Sequence, residues 1–158
     1  MLAALCAQPA LAADARTTNV KLRIGVAFTE TIQFPGDENC PAIGHISGSG
    51  FSTVLGVIGI KSTDCVFPAD ATLSSFKFFS YPRVTLTTSS GDEIWATYKD
   101  GTATGSPPPI LSISANLTIA GGTGRYENAF GSATIEGVEN IGSVPPVGVL
   151  VISGKLSY

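Results

Sequence analysis

A chain of 158 residues is one domain's worth, long enough to bury a core and to fold without metal or multiple disulfides. Only 13% of its residues are charged, while 44% are hydrophobic and Gly (18) and Pro (10) are abundant, a composition poor in helix formers. The nine Lys and Arg are scattered singly under a net charge of -3, so no basic stripe is offered to nucleic-acid phosphates; no apolar run reaches the roughly 18 to 20 residues of a membrane helix, so membrane insertion is not expected either.

Met1 to Ala15, MLAALCAQPALAADA, is a short apolar run ending in the small-x-small site Ala10-Leu11-Ala12. Signal peptidases cut such sites. Residues 1–12 (to 15) are therefore expected to be a signal-peptide remnant lacking its positively charged n-region, followed by a single domain over 16–158, and the expected localisation is secreted or periplasmic. Leu5 stands before Cys6 where a lipobox has Gly, Ala or Ser, which disfavours a lipid anchor. Cleavage leaves Cys40 and Cys65, an even count in an oxidising compartment, and a disulfide between them is the leading expectation. It would close a loop of about 25 residues, worth around 3 kcal/mol in the chain-entropy model. Thiol chemistry is the less favoured alternative, because the only histidine, His45, lies in AIGHISGSG, a run that reads as turn and strand.

From Val20 onward the hydrophobic period is two, and eight strands are predicted: Val20 to Phe34, His45 to Thr53, Val57 to Val66, Ser74 to Phe79 leading to Arg83 to Thr88, Glu93 to Lys99, Ile110 to Ile119, Gly131 to Val138, and Gly148 to Leu156. Turn chemistry separates them, at Pro35-Gly36-Asp37, Pro68-Ala69-Asp70, Ser90-Gly91-Asp92, Gly105 to Pro109, Gly121 to Gly124, and Gly142 to Pro146. Evenly spaced strands joined by short turns predict an all-β fold, an eight-stranded antiparallel up-and-down β-barrel of calycin-like kind that disposes of its edges by closing on itself. A two-sheet sandwich is the alternative. In Val147 to Ile152 both faces of the strand are apolar, which implies a core on one side and a subunit interface on the other.

Four stretches carry a family resemblance. Leu117 to Gly137, LTIAGGTGRYENAFGSATIEG, resembles the GGTGRF-A-x-A-x-G signature of the barrel superfamily that includes allene oxide cyclases, dirigent proteins and exported bacterial barrels of unassigned function. Gly48 to Ile60, GSGFSTVLGVIGI, Gly91 to Gly101, GDEIWATYKDG, and Gly154 to Tyr158, GKLSY, are similar to its strand pair, hairpin and closing motif, in the expected order. The resemblance implies an eight-stranded barrel with an apolar central cavity that acts on a small hydrophobic molecule without a cofactor. It also implies self-association, as a trimer.

The first strand carries the sharpest anomaly. Its apolar phase runs Val20, Leu22, Ile24, Val26, Phe28, Glu30, Ile32, Phe34, so a carboxyl group occupies an inward position. If the phase holds, Glu30 is desolvated, its pKa is raised, and it suits proton transfer, in broad similarity to the acidic residue allene oxide cyclases use. The alternative is a bulge at Thr29 to Thr31, or a wet mouth, that leaves Glu30 in solvent. Tyr98 shares a phase with Ile94 and Ala96, and Tyr81 follows the aromatic cluster Phe76, Phe78, Phe79; with Phe28 they are the candidate ligand-binding residues, the ordinary alternative being core packing with satisfied hydroxyls. Arg125 either closes over a cavity mouth or, with Tyr126, shapes the glycine corner. One histidine and a disulfide leave no ligand cluster, so no metal is expected. The function predicted is an interior that binds a small hydrophobic molecule, as a cofactor-free cyclase or isomerase; the rivals are a carrier without chemistry and a structural envelope or surface barrel without a functional cavity.

Overall fold

The computed structural model describes residues 17–105 and 109–158. The expected signal segment lies outside the described residues. Nine strands follow one another: β1 (Asn19–Gln33), β2 (Ala42–Ser52), β3 (Gly56–Pro68), β4 (Ser75–Thr88), β5 (Glu93–Thr97), β6 (Gly101–Thr104), β7 (Ile110–Gly122), β8 (Phe130–Asn140) and β9 (Val147–Ser157). Each pairs antiparallel with its neighbour, β9 returns to β1, and β5 and β6 share one place in the wall between β4 and β7. The result is a closed eight-stranded up-and-down barrel with one extra strand, and the sandwich is excluded.

The short β6 was not legible in the alternation. Where a continuous strand was expected through Lys99, the wall breaks at Tyr98 to Asp100, and the Asp100 carboxylate accepts the backbone N–H of Asn116 at 3.0 Å and its side-chain amide at 2.5 Å. A side chain thus replaces a ladder partner. β4 runs unbroken from Ser75 to Thr88 but loses register against β3, whose Ser62 faces Val84 while Asp64 faces Ser80. Tyr81, Pro82 and Arg83 are left over in this irregularity.

The two ends of the barrel differ. At the first, the β2–β3, β4–β5 and β7–β8 hairpins and the chain end close over a solid core that includes Ile24, Ile58, Leu86, Ile94, Ile152 and Leu156. Tyr126 lies fully buried there, its ring 4.9 Å from that of Tyr158. The glycine corner is a required conformation: Gly121 (φ 98°) and Gly124 (φ 54°) occupy the left-handed region, and a Cβ on Gly124 would collide with the Asp92 carboxylate. Arg125 donates to the Tyr158 hydroxyl at 2.9 Å and lies over both tyrosine rings. It belongs to the corner, at the far end from any mouth.

At the second end lie the β1–β2, β3–β4 and β8–β9 connections, around an interior cavity. Cys40 and Cys65 are disulfide-bonded here, with Cα atoms 5.3 Å apart. They form a small outer core with Ile43, Phe67, Phe79 and Tyr81 that ties the β1–β2 loop to β3. Asp37 shapes the same loop by accepting the backbone N–H groups of Asn39 and Cys40 at 2.8 and 2.9 Å. Replacing both cysteines with serine is expected to lower unfolding free energy by about 3 kcal/mol in the chain-entropy model. Denaturant titration checks the loss, and non-reducing peptide mass mapping checks the Cys40–Cys65 link; two free thiols in the oxidised protein would contradict it.

Candidate functional site

The inward phase of β1 holds to its end. Leu22, Ile24, Val26 and Phe28 are buried in turn, and Glu30 follows them inside at 7% exposure, with no bulge to turn it out. Its backbone N–H donates to the Pro146 carbonyl at 3.0 Å, which fixes the strand against the β8–β9 connection. The carboxyl group reaches across to β2, where Gly44 leaves the space it needs: a Cβ there would strike Glu30 Oε1.

Two further carboxyl groups share this end of the interior. Asp64 continues the inward phase of β3 after Ile58, Ile60 and Ser62, and Glu139 continues that of β8 after Ala133, Ile135 and Gly137. Asp64 is 2% exposed and Glu139 6%. All three line a cavity of about 90 Å³ whose walls are otherwise mostly apolar, among them Phe28, Ile60, Phe78, Leu111, Ile135 and Leu150. One water needs about 10–15 Å³ by this measure. The chamber therefore has room for about six waters, or for one end of a small molecule that extends through the mouth.

The polar groups fall into two sets. Ser62 Oγ donates to Asp64 Oδ1 at 2.5 Å and lies 3.3 Å from the Tyr98 hydroxyl, so Asp64 is served by neutral donors. Burial still pushes the Asp64 carboxyl up from 3.8 to about 6, against the lowering effect of its Ser62 and Tyr98 hydrogen bonds. Tyr98 is raised well above its usual value, first by burial and then by the Asp64 charge. Its backbone is held by Ser80, whose Oγ accepts the Tyr98 N–H at 3.1 Å while the Ser80 N–H donates to the Tyr98 carbonyl at 3.0 Å. Phe78 packs edge-on against the Tyr98 ring at 5.5 Å.

The second set is a carboxyl pair. Burial is the largest influence on Glu30, followed by its hydrogen bond to Glu139 and repulsion from the same group, with His45 opposing; its pKa rises from 4.5 to about 9. Two carboxyls sharing a dry site cannot both ionise at low cost, so the pair retains a proton at neutral pH. Burial of a solitary Glu30 would have shifted it less. Glu139 Oε1, meanwhile, is buried without a hydrogen-bond partner.

Of the residues singled out from the sequence, Glu30, Phe28 and Tyr98 come together in the cavity. The Phe28 ring fills the space beside Gly148, where a Cβ would collide with it. Tyr81 does not join them, because the irregular register of β4 leaves it on the outer wall, packed edge-on against Phe79 and with its hydroxyl 3.4 Å from Asp37 Oδ2. Phe76 and Phe78, from the same aromatic cluster, face inward in its place. Asp64 and Glu139 were missed, although each lies on an inward phase that extends an apolar run by one or two steps. Among the described residues no group of three or more His, Cys, Asp or Glu is arranged to hold a metal ion, and no helix is long and apolar enough to cross a membrane. Compared with known proteins, the chain matches no protein-family model and no curated protein.

The raised carboxyls make stability fall as pH rises. Each binds its proton more tightly folded than unfolded, so the folded state is favoured below the unfolded value and loses that advantage as pH climbs toward the folded one. For Asp64 the window runs from 3.8 to about 6, and for Glu30 from 4.5 to about 9. Unfolding free energy measured between pH 6 and pH 9 should decline by at most about 1.4 kcal/mol per pH unit, and Glu30→Gln should flatten that decline. An unchanged slope in the variant would place Glu30 in contact with water.

Proposed function

We propose that the protein is an exported barrel of the allene oxide cyclase and dirigent-like kind that binds a small hydrophobic molecule at the open end of its interior and moves a proton on it, as a cofactor-free cyclase or isomerase. The observation that carries this reading is the pair of buried carboxyl groups, Glu30 and Glu139, lining one mostly apolar chamber. Such a pair presents an acid and a base side by side, the arrangement in which one group protonates a substrate atom while the other accepts a proton from its neighbour. Structural scaffolds gain nothing from three buried carboxyl groups, each of which opposes folding at neutral pH unless it is paired. The apolar walls would orient the molecule and exclude water.

The family resemblance supports the same reading. The stretches that carry it fall at the β2–β3, β4–β5 and β7–β8 hairpins and at the β9 strand that closes onto β1. A carrier without chemistry is the second reading, favoured by the Ser62, Asp64 and Tyr98 network, which is internally satisfied and needs no proton to move.

The outer face of the β1–β9–β8 wall supports self-association. Val138, Val147 and Val149 are exposed side by side beside Ala27 and Thr29, in a shallow apolar depression. We infer that this face joins copies of the chain, as a trimer. Light scattering at micromolar concentration should give a trimer mass, and Val149→Asp should reduce it to that of a monomer; a wild-type monomer would refute the assembly.

Proton transfer can be tested with cyclopentanone, a small ketone whose α-hydrogens exchange with D₂O. The wild-type protein should accelerate exchange followed by NMR, and Glu30→Gln should reduce that acceleration by about 10²-fold or more while leaving ketone affinity unchanged. Binding in both proteins with no exchange in either would leave the carrier reading in place.

A further inference from the structure

The charge of the ligand is written into the chamber. Its described walls contain three carboxyl groups, the hydroxyls of Ser62 and Tyr98, and no Lys, Arg or His; His45, on β2, lies exposed on the outer face and acts on Glu30 only at a distance. The donors present are already engaged, Ser62 with Asp64 and the Tyr98 hydroxyl with Ser62. The Glu30–Glu139 pair has only the proton it shares, and Glu139, which lines the cavity, has its Oε1 buried without a hydrogen-bond partner. A buried carboxylate oxygen without a donor is costly, and an N–H or O–H supplied from outside the chain would satisfy it.

The order of residues along the strands adds a shape. One inward step beyond each carboxyl, toward the mouth, stands an aliphatic side chain: Ile32 beyond Glu30, Val66 beyond Asp64 and Ile141 beyond Glu139, all three lining the same cavity. The carboxyls thus lie behind an apolar collar, and the whole cavity, collar included, is about 90 Å³, room for a small head group and little more. We propose that the ligand of this chamber is a primary aliphatic amine, whose ammonium group passes the collar and donates to Glu139 and Asp64 while its hydrocarbon tail lies along Ile32, Val66 and Ile141. An ammonium carries three donors and a positive charge, which a hydroxyl cannot match and a carboxylate would oppose. A divalent metal is a poor alternative occupant, since the acidic groups are not arranged as a ligand set.

The inference rests on the reading that the interior takes a small molecule, and the test separates the two. Calorimetric titration near neutral pH would compare n-hexylamine, n-hexanol and hexanoate, which share one tail and differ in head charge. Hexylamine should bind at least about tenfold more tightly than hexanol, with hexanoate not bound. Glu139→Gln should erase most of that preference; Asp64→Asn provides the same comparison should the first variant fail to fold. Equal or tighter binding of hexanol or hexanoate would overturn the amine assignment and leave the cavity reading standing. An amine preference that survives in Glu139→Gln and Asp64→Asn would also overturn it. Absence of binding by all three probes would overturn both.

Discussion

From Asn19 to Thr29, β1 pairs residue by residue with β9, and this seam closes the cylinder. Closure sets more than the outline. Once both edges of β1 are hydrogen-bonded, a slip of one residue would turn Leu22, Ile24, Val26 and Phe28 outward together, at a cost far above the gain from solvating one carboxyl group. Glu30 is therefore carried inside by the strand that contains it. Its burial follows from its four inward neighbours.

The molecule divides its tasks along the barrel axis. One end is solid, built from hairpins, a glycine corner and the paired rings of Tyr126 and Tyr158, and it supplies the packing that holds the fold. The other is hollow, and there three inward positions that could have been aliphatic are acidic instead. Desolvated carboxyls oppose folding, and the solid end offsets that opposition. Placing the two functions at opposite ends lets the mouth vary in chemistry without loosening the corner on which closure depends.

The same division decides what the sequence reveals. The glycines at positive φ, Gly56, Gly91, Gly121 and Gly124, all lie at the solid end, so the hairpins there are readable, and every family-like stretch begins, ends or turns at that end. Glu30 was legible because a long clean alternation on β1 brackets it with Phe28 and Ile32. Asp64 was not, since Ser62 and Asp64 place two polar residues in succession on the inward phase of β3 and mimic a strand emerging into water. Glu139 lies one residue past the predicted end of its strand, and Gly137 before it has no side chain to mark the phase. Tyr81 was placed by its aromatic neighbours, but the leftover residues Tyr81 to Arg83 have no place in a sequence pattern because the slip exists only between β3 and β4. β6 escaped for a similar reason, since the Asp100 carboxylate that interrupts the wall acts on Asn116, far away in the chain.

The interrupted wall has a mechanical consequence. Between β4 and β7 the cylinder is spanned by two short pieces in place of one long strand, joined at Tyr98 to Asp100. Short ladders open at lower free energy than long ones, so this panel is the part of the wall expected to open first. Tyr98 sits at the joint, with its backbone gripped by Ser80 and its ring facing the chamber. Movement of the panel would carry that hydroxyl away from Ser62 and Asp64 and part the wall beside the carboxyl groups. An opening of that kind would lie in the side of the cylinder, separate from its mouth, where the wall is made of its shortest staves.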